Sequence, residues 1–237
     1  MCIPFARSFE HATMSRATSD AVIVRVTDGF IDPASVATDA TFIDLSDKFE
    51  WLSSTPALIA LGVAVIGNKI YAAGGVDRSR RNTGANEVYD PLKDRWTKRA
   101  SMPTPRDHLA VGVVGGKLYV IGGRIDGSYR KNLAVTEEYD PASNRWRSRA
   151  SMPTARSGIA AAALGGRIFV FGGESVSGTF NQTESYDPAT GRWETLTPMP
   201  TPRHGLGAAV LGGNIYVISG GPRPGGSFSS LNEVFTP

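Results

Sequence analysis

The chain is poor in cysteine and histidine, and this scarcity excludes several classes of protein at once. Its 237 residues include one cysteine, Cys2, so neither an intrachain disulfide nor a cysteine-based zinc site can form. No apolar run approaches the ~18 to 20 residues that a membrane-spanning helix needs. The 25 basic and 22 acidic residues leave a net charge of +3, which is too balanced by itself to indicate a nucleic-acid partner. We therefore expect binding neither to a membrane nor to nucleic acid.

The N-terminal residues lack the features of a targeting signal. Residues 1–20 contain charged side chains such as Arg7, Glu10 and Arg16, and no apolar stretch long enough for a signal peptide. We interpret them as a mobile tail and expect a cytoplasmic location. The rest of the chain is compatible with a folded core, because 41% of the sequence is hydrophobic and only 20% is charged.

An internal repeat is the strongest feature that the sequence does contain. The motif Glu-x-Tyr-Asp-Pro begins at Glu87, Glu137 and Glu184, and a weaker copy begins at Glu233, which gives a period of 47 to 50 residues. In each full copy a tryptophan follows nine residues after the glutamate, an arginine ten residues later, and an aromatic residue thirteen after that. A diglycine comes just beyond the aromatic residue. The tryptophans and glycines that we assign to the scaffold are Trp51, Trp96, Trp146, Trp193, Gly74, Gly75, Gly122, Gly123, Gly172 and Gly173.

Each repeat predicts four short β-strands. In the second full copy, residues 109–114 are apolar or very small, and Gly115-Gly116 turns the chain into the next strand. Residues 140–144 form a turn cluster before the outer strand, which alternates charged side chains with Trp146 and so protects an exposed edge. Helical periodicity is absent, so we predict an all-β chain. Four-stranded units of this size, arranged radially, make a β-propeller.

The residues at these spacings resemble the kelch repeat. Diglycine, then Glu-x-Tyr-Asp-Pro, then tryptophan nine residues after the glutamate covers roughly residues 40 to 237. The resemblance implies a kelch-type β-propeller of four-stranded antiparallel blades. It also implies a family used mostly for protein–protein recognition, with a minority of enzymes that oxidise or isomerise sugars.

The number of blades is not determined by the sequence. We predict four to five blades in residues 21–237, with a degenerate first unit at 21–53, full units at 54–102, 103–152 and 153–201, and an incomplete unit at 202–237. Three solutions stay open. A strand at Trp51 closes the last blade, residues 21–53 form a poor first blade of a five-bladed ring, or the chain is a fragment or needs a second copy to close the ring. Open blade edges would favour self-association.

Binding residues are expected where the repeats differ. Only the loop between the second and third strands varies in length, and variable loops on a rigid scaffold collect binding residues. These loops are rich in arginine, serine and aromatic residues, which suits an acidic protein or peptide. Together with His108 and the repeated arginines Arg106, Arg156 and Arg203, they are expected to place most of the unpaired positive charge on one face. The candidate partner-binding residues are Arg78, Arg80, Arg81, Arg124, Tyr129, Arg130, Phe180, Arg223, His108 and His204.

No catalytic signature accompanies these loops. The repeated glutamates and arginines are interpreted as structural because they recur at fixed positions, and no phosphate loop, nucleophile elbow or Ser-His-Asp pattern occurs. The copper chemistry of galactose oxidase, which shares the kelch fold, needs more histidines and a suitably placed cysteine. We therefore predict a non-enzymatic interaction module without a cofactor. The alternative is a carbohydrate-binding or sugar-isomerising protein that resembles the kelch-type mutarotases, with His108, His204 and the repeated arginines as its acid–base groups.

Overall fold

The computed structural model describes residues 60–237 and two short N-terminal strands at 23–25 and 42–44. The chain forms two compact units, of which the smaller comprises residues 7–57. In that unit β1 (Ile23–Arg25) pairs in parallel with β2 (Phe42–Asp44). The predicted tail, the closing strand at Trp51 and most of the degenerate first unit lie outside the described residues.

The larger unit contains four antiparallel blades arranged as a β-propeller, as the sequence predicts. Three blades have four strands, and the fourth has three within the described part of the chain. No α-helix occurs between residues 60 and 237; the one helical segment there is a 3-10 turn, Tyr129–Lys131. Blade 1 consists of β3 (Gly62–Ile66), β4 (Lys69–Ala73), β5 (Asn86–Asp90) and β6 (Arg95–Lys98), and blade 2 of β7 (Ala110–Val114), β8 (Lys117–Ile121), β9 (Thr136–Asp140) and β10 (Arg145–Arg149). Blade 3 consists of β11 (Ala160–Leu164), β12 (Arg167–Phe171), β15 (Thr183–Asp187) and β16 (Arg192–Leu196), with the short ribbon of β13 (Glu174–Ser175) and β14 (Gly178–Thr179) between β12 and β15. Blade 4 consists of β17 (Gly207–Leu211), β18 (Asn214–Ile218) and β19 (Asn232–Phe235).

Local sequence explains how each blade begins. In blade 2, Val114 pairs with Lys117, so β7 and β8 are joined by two residues, Gly115 and Gly116. Both glycines have positive φ values, 59° and 71°, as the two central residues of a type I′ turn require. The twist of this turn matches that of the strands, so the diglycine fixes the register of the hairpin.

The tryptophans of the outer strands of blades 2 and 3 each contact the preceding blade. Trp146 packs on Tyr139 of its own blade, with ring centroids 5.1 Å apart. Its indole N–H donates a 2.7 Å hydrogen bond to the carbonyl of Ala100, which follows the outer strand of blade 1. Trp193 repeats this arrangement on the carbonyl of Ala150. Each of these two tryptophans therefore joins its outer strand to the segment that follows the outer strand of the preceding blade.

The repeated arginine joins consecutive blades. The carbonyl of Arg156 accepts a hydrogen bond from Gly123 of blade 2, while its side chain enters blade 3 and pairs with Glu184 at 2.7 Å. A Cβ on the neighbouring Gly122 would lie 2.8 Å from the same carbonyl, so only glycine fits there. The same pairing links Arg106 to Glu137 and Arg203 to Glu233. These arginines are fully buried, which agrees with the structural role inferred from their repetition.

Burial changes the pKa of two of these arginines. Desolvation lowers the pKa of Arg106 and of Arg156, and the paired glutamates oppose that shift. Thr104 and Thr154 add hydrogen bonds of 2.8 and 2.7 Å to Glu137 and Glu184. Each buried pair is thus embedded in further polar contacts.

Small residues on the inner strands allow the blades to approach. A Cβ on Gly112 of β7 would lie 2.7 Å from Cγ2 of Ile168 in blade 3, and Ile168 is itself fully buried. Aromatic pairs such as Tyr119–Tyr186, 5.9 Å between centroids, fill the wider part of the same interface. The hydrophobic core is therefore divided among the interfaces between successive blades.

We predict that Gly112→Ala destabilises the propeller, although alanine suits a strand better than glycine. The added methyl group overlaps Ile168, and overpacking of this kind costs roughly 1–2 kcal/mol, or a few degrees in the melting temperature. Gly207→Ala is the matched control, because the nearest atom to its Cβ is 3.9 Å away. Thermal unfolding of both variants checks this. A Gly112→Ala protein as stable as the wild type would show that the blades are not closely packed here.

Self-association through open blade edges stays a prediction, and blade 4 has such an edge in the described part of the chain. Within the described residues β19 pairs only with β18. Several apolar side chains of this blade are exposed, namely Val210, Leu211, Ile218 and Leu231. Sedimentation at increasing protein concentration would test whether they mediate contact between copies.

Candidate functional site

The four loops between second and third strands form one continuous surface, which we call the loop face. Its members are loop 1 (residues 74–85), loop 2 (122–135), loop 3 (172–182) and loop 4 (219–231). Loop 1 meets loop 2 where Asn82 accepts a 2.6 Å hydrogen bond from the amide of Asp126. Loop 3 meets loop 4 where the hydroxyl of Thr179 donates to the carbonyl of Pro222 at 3.0 Å. Residues far apart in sequence are thus held side by side.

Five of the candidate residues are arginines whose side chains reach solvent on this face. Arg78, Arg80, Arg130 and Arg223 are exposed, and Arg81 is exposed but bonded to Asp77 at 3.1 Å. Hydrogen bonds, led by that from the Arg81 amide, hold the pKa of Asp77 below its ordinary value. The charge of Arg81 is therefore partly neutralised within loop 1.

The same loops also carry aromatic side chains. Phe228 of loop 4 is 89% exposed, whereas Tyr129 and Phe180 are half-buried. Tyr129 belongs to the 3-10 turn of loop 2, which begins where the hydroxyl of Ser128 accepts the amide of Arg130. Its ring centroid lies 4.6 Å from the guanidinium carbon of Arg124, a cation–π contact.

Arg124 itself is an interior residue rather than a surface one. Its side chain is 8% exposed, and one of its guanidinium nitrogens donates to Glu174 of loop 3 at 2.8 Å. A second nitrogen lies 2.9 Å from Nε2 of His108, and Nε lies 3.4 Å from the buried carboxylate of Asp107. The charge of Arg124 is therefore paired inside the protein with Glu174 and Asp107, although Nε itself makes no hydrogen bond.

The two histidine candidates occupy different environments. His108 is half-exposed, bonds Asp107 through Nδ1, and has a left-handed φ of 50°. The equivalent residues of the other blades are Ala60, Gly158 and Gly205. Backbone hydrogen bonds link the four in series, from the amide of each residue to the carbonyl of its equivalent in the preceding blade. His204 is buried, with its ring nitrogens 3.0 and 2.8 Å from the carbonyls of Gly221 and Gly225. His204 therefore holds loop 4 in place from within.

Asp107 shows how this interior is balanced electrostatically. Burial alone would raise its pKa, but hydrogen bonds from His108 and Asn82 outweigh burial and lower it. Asp107 therefore stays charged at the centre of the cluster. Together Asn82, Asp107, His108, Arg124 and Glu174 form what we call the axial cluster.

The expectation that most unpaired positive charge lies on one face is wrong. Arg106, Arg156 and Arg203 are buried in ion pairs and contribute nothing to the loop face. The outer strands and the turn before the first of them expose a second set of cations on the perimeter, because alternate residues of an edge strand point outwards. That set is Lys93, Arg95, Arg145, Arg147 and Arg192.

Sequence reasoning missed Glu174 and Asp107 as members of the site. Both stand at positions whose residue type changes from repeat to repeat. The residue five positions after the repeated aromatic residue is Val76, Arg124, Glu174 or Gly221, and the residue after the repeated arginine is Asp107, Ser157 or His204. Comparison of the repeats at those two positions would have found them.

Metal binding and membrane insertion receive no support from the described part of the chain. No group of three or more histidine, cysteine, aspartate and glutamate residues there is arranged to hold a metal ion. None of its helical segments has the length and apolar character needed to span a bilayer.

Four-stranded blades, a diglycine–arginine–glutamate joint and a tryptophan between outer strands define a kelch-type β-propeller. The family model described as the KLHDC2/KLHL20/DRC7 Kelch-repeats domain matches residues 60–236. The chain therefore belongs to the kelch-repeat family.

Individual relatives match shorter stretches. Kelch-like ECH-associated protein 1A of Danio rerio is 36% identical over 66 residues, which cover 27% of this chain and 11% of the relative. Influenza virus NS1A-binding protein homolog of Mus musculus is 43% identical over 63 residues, 27% of this chain and 10% of the relative. Kelch repeat and BTB domain-containing protein 13 of Mus musculus is 32% identical over 126 residues, 51% of this chain and 27% of the relative. The aligned part of this chain thus spans about a quarter or less of each relative's length.

Proposed function

We propose that this chain is a protein-interaction module whose loop face binds an acidic peptide or protein segment. The observation that carries the proposal is the convergence of exposed arginines from three loops with the exposed ring of Phe228 on one surface. Guanidinium groups bind carboxylates through paired hydrogen bonds, and a neighbouring aromatic ring adds apolar contact area. The names of two relatives, an ECH-associated protein and an NS1A-binding protein, describe binding to other proteins and support the general class.

The rigid scaffold beneath the loops favours binding over catalysis. Within the described residues the charged groups nearest the axis are engaged with one another, as Arg124 is with Glu174 and His108. A general acid or base must exchange a proton with the substrate, and both ring nitrogens of the half-exposed His108 already contact Asp107 and Arg124. The exposed arginines instead offer fixed positive charge, which serves recognition.

We predict that removing the exposed loop arginines weakens binding without unfolding the propeller. The loop variant carries Arg78→Ala, Arg80→Ala, Arg130→Ala and Arg223→Ala. The probe is a fluorescein-labelled peptide of eight alternating aspartate and glutamate residues, measured by fluorescence anisotropy. The wild type should bind it more tightly at low than at physiological salt, and the loop variant should lose roughly tenfold or more in affinity.

The perimeter supplies a control with the same change in charge. The perimeter variant carries Arg95→Ala, Arg145→Ala, Arg147→Ala and Arg192→Ala, and we expect it to keep its affinity within about threefold. A neutral peptide of asparagine and glutamine should bind neither protein. Equal losses in both variants would contradict the proposal, because they would show attraction to net charge rather than to the loop face. Both variants should melt within a few degrees of the wild type.

A further inference from the structure

The axial cluster contains a buried ion pair that the blades themselves do not require. Arg124 and Glu174 occupy the position directly after the diglycine in blades 2 and 3. Blades 1 and 4 have Val76 and Gly221 at that position and form the same strands around it. The backbone therefore accepts an apolar or a missing side chain there, so the two charges are not part of the repeat's folding requirements.

Burying this pair carries an energetic penalty. The side chains of Arg124 and Glu174 are 8% and 3% exposed, so both charges have lost almost all contact with water. A buried pair of this kind contributes little net stability compared with well-packed apolar residues in the same place. Its presence at two of four equivalent positions calls for a role other than stability.

Glu174 makes contacts that reach three loops at once. Its carboxylate accepts from Arg124 of loop 2 at 2.8 Å and from the amide of Gly225 of loop 4 at 3.0 Å. Its backbone carbonyl accepts from the side-chain amide of Asn132, also in loop 2, at 2.6 Å. Gly225 lies between Arg223 and Phe228, two exposed residues of the loop face.

Arg124 connects the buried pair to exposed residues of loop 2. Its guanidinium lies 4.6 Å from the ring centroid of Tyr129, which forms the 3-10 turn that displays Arg130. Nη1 lies 3.4 Å from Ser157, whose hydroxyl donates to Asn132 at 2.8 Å. The ion pair is therefore one of the contacts that hold loops 2, 3 and 4 together, and Thr179 and His204 supply others.

We propose that Glu174 and Arg124 are positioning residues that hold loops 2 and 4 in the arrangement that binds the partner. The effect of the pair on partner binding rests on the proposed function, whereas its effect on the loops rests on the contacts alone. This role differs from that of Arg106, Arg156 and Arg203, which hold blades together rather than loops.

The test uses the residue that blade 1 already has at this position. In Glu174→Val, Arg124 is left as a buried charge without its nearer carboxylate and keeps only Asp107 at 3.4 Å, so the order of the loops and the stability should both decrease. In the double variant Arg124→Val/Glu174→Val, both charges are removed, and we expect a melting temperature close to that of the wild type. Loops 2 and 4 should nevertheless be loosened in the double variant, because the side-chain bonds that join both loops to residue 174 are gone, although the bond from Asn132 to its backbone carbonyl is kept.

Hydrogen exchange followed by mass spectrometry separates positioning from stability. In the double variant we expect amide exchange in residues 124–132 and 221–229 to accelerate about tenfold, with strand β12 unchanged. Glu194→Gln, which alters a half-exposed carboxylate paired with Arg167 on the perimeter, should change neither loop. Unchanged loop exchange in the double variant would overturn the proposal, as would a uniform increase across all strands.

Binding of the acidic probe supplies the second readout. If the wild type binds it, the double variant should bind roughly fivefold or more weakly while remaining as stable. Undiminished binding in the presence of freed loops would overturn the positioning role in recognition. Failure of the wild type to bind the probe would count against the proposed function, and the exchange measurement would still decide whether the pair positions the loops.

Discussion

Replacing Arg156 with alanine should lower the free energy of unfolding by about 3–5 kcal/mol, a large part of the 5–15 kcal/mol typical of a folded domain. Arg156 is fully buried and bonded to Glu184, whose side chain is 1% exposed. Without the guanidinium, the carboxylate of Glu184 keeps the hydroxyl of Thr154 but no counter-charge. Urea unfolding followed by tryptophan fluorescence measures the loss.

Two further variants test whether the loss of stability in Arg156→Ala comes from the burial of the ion pair. Arg167→Ala removes an arginine from a perimeter ion pair of similar length, 2.6 Å to Glu194, and should cost no more than about 1 kcal/mol because water screens that pair. Arg156→Leu/Glu184→Leu removes both buried charges and should recover most of the stability lost in Arg156→Ala. A loss below 1 kcal/mol in Arg156→Ala would show that the interblade joint does not depend on its charge.

The repeated residues are the part of this structure that the sequence predicts well. A glutamate, a tryptophan, an arginine and a diglycine recur at fixed spacings, and the contacts they make recur with them: the arginine–glutamate pair in blades 2, 3 and 4 and the indole bond in blades 2 and 3. The pairing of Arg156 with Glu184 and the indole of Trp146 on Ala100 follow from that regularity. Repetition within one chain thus separated residues of the scaffold from residues of the site.

The interior of the candidate site was predicted less well. Their position in or beside variable loops predicts that Arg124 and His204 are surface groups, yet both are buried. Their partners are distant in sequence: Glu174 is 50 residues from Arg124. Whether a loop arginine points to solvent or into the cluster depends on such contacts, and spacing within one repeat does not contain that information.

The same limit applies to charge. Counting basic residues in the loops suggested a single positive face, but each outer strand also points alternate side chains outwards, as Arg145 and Arg147 do. The distribution of charge over a propeller depends on which face each strand position occupies. For this reason the perimeter variant is a necessary partner of the loop variant in any binding measurement.

Lowering the pH from 7 to 3 should sharply destabilise the propeller, and Glu138 should be a principal cause. Burial raises its pKa, but hydrogen bonds from Lys117, Tyr119 and Arg149 more than offset burial and bring the pKa below the ordinary value of 4.5. A carboxylate whose pKa is lowered by folding contributes stability at every pH above its unfolded value. That contribution is lost as the pH falls through the folded-state value.

Other carboxylates act in the same direction. Hydrogen bonds or ion pairs also lower the pKa values of a further set, namely Asp90, Asp107, Asp140 and Asp187. Their losses add to that of Glu138 over the same range of pH. We therefore expect the urea midpoint to fall to roughly half or less of its neutral value between pH 5 and pH 3.

Glu138→Gln isolates the contribution of one group to this profile. The glutamine cannot ionise, so the variant should be less stable than the wild type at pH 7 and should lose less stability between pH 5 and pH 3. Glu194→Gln removes a carboxylate that is 54% exposed and should retain the slope of the wild type. If Glu138→Gln kept the full slope, the acid sensitivity would have to arise elsewhere, because the ion pairs of Glu138 with Lys117 and Arg149 would then contribute nothing that protonation removes.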